Sequence, residues 1–92
     1  MEVATAEVEI KNLMGIHLRP ASSLVQVCNQ YPACEVEFSK TGLTVNGKSI
    51  MSVIMLAAEK GSTIGIHVTG DEAEQLLKEL VALIEGKFGE ED

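Results

Sequence analysis

The feature that most limits how this chain can fold is the switching of its apolar residues between a period of two and a period of three to four. From Val3 to Ile10, Ala6, Val8 and Ile10 alternate with Thr5, Glu7 and Glu9, the pattern of a strand with one wet face. Lys11-Asn12-Leu13-Met14-Gly15 breaks the alternation, and from near His17 the residues Leu18, Ala21, Leu24, Val25 and Cys28 fall three or four apart, which predicts a first helix. Tyr31-Pro32 ends it, because the residue before a proline is pushed out of the helical region. Cys34, Val36 and Phe38 then alternate with Glu35, Glu37 and Ser39 in a second strand. Thr41-Gly42 suits a hairpin turn into a short third strand, Leu43-Thr44-Val45, and Asn46-Gly47 offers positive φ angles for leaving it sharply. Ser49 is placed to cap a brief helix over Ile50 to Ala58, stopped by Lys60-Gly61. Ile64, Ile66 and Val68 make a fourth strand, with His67 on its opposite, solvent side. Asp71 and Glu74 stand in capping-box spacing at the start of a last helix. Its inward stripe is Leu76, Leu77, Leu80, Leu83 and Ile84, with Gly86 and Gly89 at a frayed end.

The resulting order, β-α-β-β-α-β-α, gives each strand one apolar face and each helix one apolar stripe. The economical packing is an α+β open-faced sandwich: a four-stranded, mostly antiparallel sheet with three helices on one face and water on the other. No linker or repeat divides the chain, so residues 1–92 are expected to form a single domain.

Bulk properties narrow the function. A chain of 92 residues supports one small core, burying roughly 60–65% of the unfolded chain's surface, so an enclosed substrate pocket is too costly and any chemistry is expected on the surface. Seven Lys and Arg stand against fourteen Asp and Glu, with no basic run to follow a phosphate backbone, which argues against nucleic acid as a partner. The acidic tail Glu90-Glu91-Asp92 reads as solvated charge at a frayed end. No stretch reaches a membrane span and no signal-peptide layout is present, so a cytoplasmic location without membrane association is expected. Cys28 and Cys34 lack metal-ligand spacing and read as small buried apolar residues; no metal and no cofactor is expected.

The most informative segment is Gly15-Ile16-His17-Leu18-Arg19-Pro20-Ala21. It sets a histidine where a loop gives way to a helix, beside backbone N–H groups that have no intrahelical acceptor and attract anions. Pro20 in the first turn costs no helical hydrogen bond and stiffens the geometry there. Arg19 offers a planar fork of donors suited to phosphate oxygens. A neutral imidazole is nucleophilic through its unprotonated nitrogen, so His17 and this cradle together suit phosphoryl acceptance. Taken alone, a His-x-Arg-Pro is more often a capping or loop histidine than a site.

Three separated segments change those odds. Asn12 to Ala21 (Asn-Leu-Met-Gly-Ile-His-Leu-Arg-Pro-Ala), Val45 to Leu56 (Val-Asn-Gly-Lys-Ser-Ile-Met-Ser-Val-Ile-Met-Leu) and Gly70-Asp71-Glu72 strongly resemble HPr, the histidine phosphocarrier of the bacterial phosphoenolpyruvate-dependent phosphotransferase system, over essentially the whole chain. The resemblance implies a phosphoryl carrier that turns over no substrate of its own. His17 would accept phosphate on Nδ1 from phospho-Enzyme I and pass it to the A component of a transporter or of a regulatory branch, with Arg19 steadying the charge. A monomer is expected of a carrier that must show one face to successive partners.

In the short helix, spacing turns Val53 and Leu56 inward and leaves Met51 and Ile54 with Ile50 as an exposed patch. In the HPr family the corresponding patch meets Enzyme I and transporter partners. Ser49 reads first as an N-cap; it also matches the serine that an HPr kinase/phosphorylase modifies in many bacteria, where added charge would repel an acidic partner surface. Leu18 stands where Ala or Thr is common in the family and Ser52 where Gly or Lys is common, departures at the contact surface that bear on partner choice. The rival reading is a purely regulatory HPr-like protein acting through Ser49 or by docking; relatives of that kind lack the active-site histidine, which this chain has.

Overall fold

The computed structural model describes residues 1–90. The first strand, β1, spans Val3–Glu9, followed by helix α1 at Leu18–Asn29 and strands β2 and β3 at Cys34–Lys40 and Leu43–Asn46. Helix α2 covers Ile50–Met55, strand β4 Thr63–Gly70 and helix α3 Ala73–Glu85. The strands lie in the order β1-β4-β2-β3, and all three pairings are antiparallel. Directly paired residues share a face. The register sets Ala4 against Val68, Val8 against Ile64, Phe38 against Ile66 and Val45 against Phe38, so the inward faces of the four strands merge into one apolar surface. On the opposite face Thr5 and Glu37 flank His67, which is exposed as expected.

Helix α1 packs on this surface through Pro20, Ala21, Leu24, Val25 and Cys28, and α3 through Ala73, Leu76, Leu80 and Ile84. Each fully buried Leu or Ile among them contributes about 1.5–3 kcal/mol through removal from water. Leu77 and Leu83 are only partly buried, so the inward stripe of α3 is narrower than expected. Leu18 departs further from its expected place in the α1 stripe: it is 64% exposed.

Several boundaries differ from expectation. Helix α2 stops at Met55, short of Ala58, because Ala57 takes a left-handed φ of 54° that no α-helix accommodates. At the exit from β3 neither Asn46 nor Gly47 adopts positive φ. The Asn46 side chain instead accepts from the Lys48 N–H at 2.9 Å, and Gly47 is required because a Cβ there would press into Val36 and Phe38. The expected capping box of α3 is not formed. Glu72 is the N-cap, with φ of 70° and no side-chain bond into the helix, and its own N–H donates to the Glu2 carboxylate at 2.8 Å. The Thr41-Gly42 hairpin does form, with both residues at positive φ. Among the described residues no helix is long and apolar enough to cross a membrane.

Beyond α3 the chain does not fray at once. Lys87, Phe88 and Gly89 all take positive φ, turning the backbone so that Glu90 reaches the start of α1. The reading of Glu90 as solvated tail charge is thereby corrected; Glu91 and Asp92 lie outside the described residues.

Candidate functional site

The loop between β1 and α1 is built on backbone bonds to the segment after α2. The Ile16 N–H donates to the Ala58 carbonyl at 2.9 Å, while Gly15, with φ of 70°, turns the chain toward the helix. Asn12 is fully buried beneath the loop, and its amide donates to the Gly15 carbonyl at 2.7 Å. His17 follows as the N-cap of α1, extended in backbone conformation, with its own carbonyl accepting from the Ala21 N–H at 3.0 Å. Its side chain makes no capping bond, so the imidazole is free for other work.

The ring is half-exposed, and its Nε2 lies 2.8 Å from Glu90 Oε2. The other carboxylate oxygen, Oε1, accepts from the Asn12 amide at 3.0 Å. A carboxylate only accepts, so the proton of this bond belongs on Nε2, and in the neutral ring the lone pair is then on Nδ1. Among the described residues Nδ1 has no hydrogen-bond partner. Asn12 Oδ1 is buried without a partner among the described residues, whereas both hydrogens of its amide nitrogen are used, which fixes the sense of that side chain.

Arg19 is exposed on the first turn of α1 and forms no ion pair among the described residues. Pro20 is buried in the same turn, anchoring it to the core, and no acidic residue occupies that turn. Large apolar side chains are exposed on three segments: Leu18 on α1, Leu13 and Met14 on the preceding loop, at 60% and 71% exposure, and Ile50, Met51 and Met55 on α2. Ile54 was expected in that patch but is half-buried against the core, and Met55, at 67% exposure, takes its place on the outer side. Val53 and Leu56 are buried as expected. Ser49 is the N-cap of α2, its Oγ accepting from the Ser52 N–H at 3.4 Å.

Sequence patterning brings together His17, Leu18, Arg19 and Pro20, since they are contiguous, but it misses Asn12, Glu90, Leu13, Met14 and Met55 as parts of the site. The apolar character of the loop residues between two structured segments was a signal for Leu13 and Met14. Nothing local points to Glu90.

A family model described as the phosphorylation site of the HPr component of the phosphotransferase system matches residues 4–86. This chain belongs to the HPr family. As an HPr it has a phosphocarrier role in that system. The phosphocarrier protein HPr of Pseudomonas aeruginosa is 41% identical over 85 residues, covering 91% of this chain and 93% of the relative. The crystal structure of HPr-C-His from Thermoanaerobacter tengcongensis matches with a TM-score of 0.91 at 38% identity, covering 97% of this chain and 99% of that one. A crystal structure of an HPr dimer from the same organism matches with a TM-score of 0.75 at 40% identity, over 90% of this chain and 94% of that one. HPr neighbours share the open-faced sandwich expected from the strand and helix periods.

Proposed function

We propose that His17 is the phosphoryl acceptor, taking the group on Nδ1 from phospho-Enzyme I and passing it to the A component of a transporter or regulatory branch of the phosphotransferase system. The observation that carries this reading is the half-exposed imidazole at the N-terminus of α1 whose Nε2 is engaged and whose Nδ1 has no partner among the described residues. In the forward step the P–N bond on the donor histidine breaks as the bond from phosphorus to Nδ1 forms, and the proton on Nε2 stays where it is. In the onward step the Nδ1–P bond breaks, and the ring leaves as a neutral imidazole because Nε2 already carries its proton.

Arg19 supplies a cationic fork and the first turn of α1 its unbonded N–H groups for the phosphoryl oxygens. Leu18, Ile50 and Met51 form the docking surface, in which a flexible methionine suits several partners in turn. The protein does this work in the cytoplasm as a monomer, since a dimer that covered the His17 face would block docking. Ser49 is a second control point: a kinase-added phosphate there would lie beside Ile50 and Met51 and oppose an acidic partner.

The test incubates the protein with Enzyme I, Mg²⁺ and labelled phosphoenolpyruvate. Wild type takes up acid-labile, base-stable label and His17→Ala takes up none; label that persists in His17→Ala removes the proposal.

A further inference from the structure

We infer that Glu90 is a positioning residue for His17, holding the ring in the Nε2–H tautomer so that the Nδ1 lone pair is presented to the incoming phosphorus; this rests on the proposed carrier role of His17. Three observations converge. Glu90 Oε2 meets Nε2 at 2.8 Å, a length suited to a charge-assisted bond. Glu90 is itself oriented: its second oxygen accepts from Asn12 at 3.0 Å, and Asn12 is fully buried and tied to the Gly15 carbonyl. The backbone that delivers Glu90 makes three consecutive positive-φ steps at Lys87, Phe88 and Gly89, two of them at residues with a Cβ, a conformation that is costly unless the surroundings support it.

The arrangement matters because an imidazole that exchanges tautomers spends part of its time with a proton on Nδ1, where it cannot attack. A carboxylate on Nε2 suppresses that state and fixes the ring plane. It also stabilises the positive charge that spreads over the ring once Nδ1 bears the phosphoryl group, while leaving the proton on Nε2 for the onward step, so no proton need be exchanged with water in either direction. The side chains of Asn12, Glu90 and His17 thus form a relay of orientation from the buried loop to the reacting atom, spanning the start and the end of the described chain.

The experiment compares full-length wild type with Glu90→Ala. In the neutral ring the nitrogen-15 shifts of wild-type His17 show one protonated and one lone-pair nitrogen, assigned to Nε2 and Nδ1. In Glu90→Ala the two shifts move toward each other as the tautomers mix. In transfer from phospho-Enzyme I, Glu90→Ala lowers kcat roughly tenfold, as expected for a lost bond to a charged group, with KM for phospho-Enzyme I unchanged. Amide spectra verify that the variant is folded. Ring shifts identical in the two proteins, or an unchanged kcat, would overturn the inference. Failure of the carrier role itself is distinguishable, because wild type would then take up no label while the ring shifts still report on Glu90.

Discussion

Gly15 lies hard against Ala58: a Cβ at Gly15 would run into the Ala58 carbonyl oxygen, the same atom that accepts the Ile16 N–H at 2.9 Å. With φ of 70° at Gly15, both sterics and conformation select glycine one residue before the segment that delivers His17.

Gly15→Ala is accordingly expected to destabilise the fold by about 2 kcal/mol, through left-handed backbone strain and the displaced Ala58 carbonyl. Urea unfolding measures the loss. Transfer to the surviving folded protein should also slow, since the loop sets the position of the ring. A variant as stable as wild type would show that the loop relaxes freely and that Ala58 does not govern it.

Much of this architecture was legible in the sequence because burial follows the two periods closely. Val36 and Phe38, or Ile64, Ile66 and Val68, sit on one face because side chains alternate along a strand, and neither their identity nor their spacing is ambiguous. His17 and Arg19 were legible because loop, cap and helix are contiguous. What escaped depends on tertiary context. Ala57 gave no sign that it would take a left-handed turn and shorten α2. The Asp71/Glu74 capping pattern lost to an N-terminal partner, Glu2, that lies 70 residues away. Glu90 looked like tail charge because its contact with His17 spans 73 residues and depends on the unusual turn at Lys87 to Gly89.

Ser49→Ala is expected to cost about 0.5–1 kcal/mol, toward the low end for an N-cap because the bond to Ser52 is long at 3.4 Å. Ser49→Asp, another good cap, should fold about as stably as wild type yet receive phosphate from Enzyme I more slowly through a raised KM. Thermal melts and transfer kinetics separate the two effects. If Ser49→Asp transferred at the wild-type KM, charge at this position would not oppose docking.

Stability should fall at alkaline pH for an identifiable reason. The Tyr31 hydroxyl donates to the Glu79 carboxylate, which together with burial pushes its pKa up from 10.0 to about 12. Burial pushes the Cys28 thiol up from 9.0 to about 12. Both groups bind their proton more tightly folded than unfolded. Their contribution is therefore complete below the unfolded values and is lost as pH rises through the window up to about 12. Urea midpoints for wild type should decline across this window, and the decline should be shallower in Tyr31→Phe above pH 10. Parallel curves for the two proteins would exclude Tyr31 as a source of the slope.

Met51 and Val53 lie two residues apart on α2 yet face opposite ways, Met51 at 70% exposure and Val53 fully buried. Val53→Ala should destabilise by about 2 kcal/mol, the cost of lost burial and a small cavity, while leaving the docking surface intact. Met51→Asp, on the solvent side, should change stability by no more than about 0.5 kcal/mol. Its effect should appear instead in KM for phospho-Enzyme I if the proposed docking surface includes Met51, because it replaces an exposed apolar side chain with a charge. Paired urea and transfer measurements on the two variants give opposite patterns if this surface docks partners. Equal KM values for Met51→Asp and wild type would exclude Met51 from the docking surface, with the exposed Leu13 and Met14 the next positions to substitute.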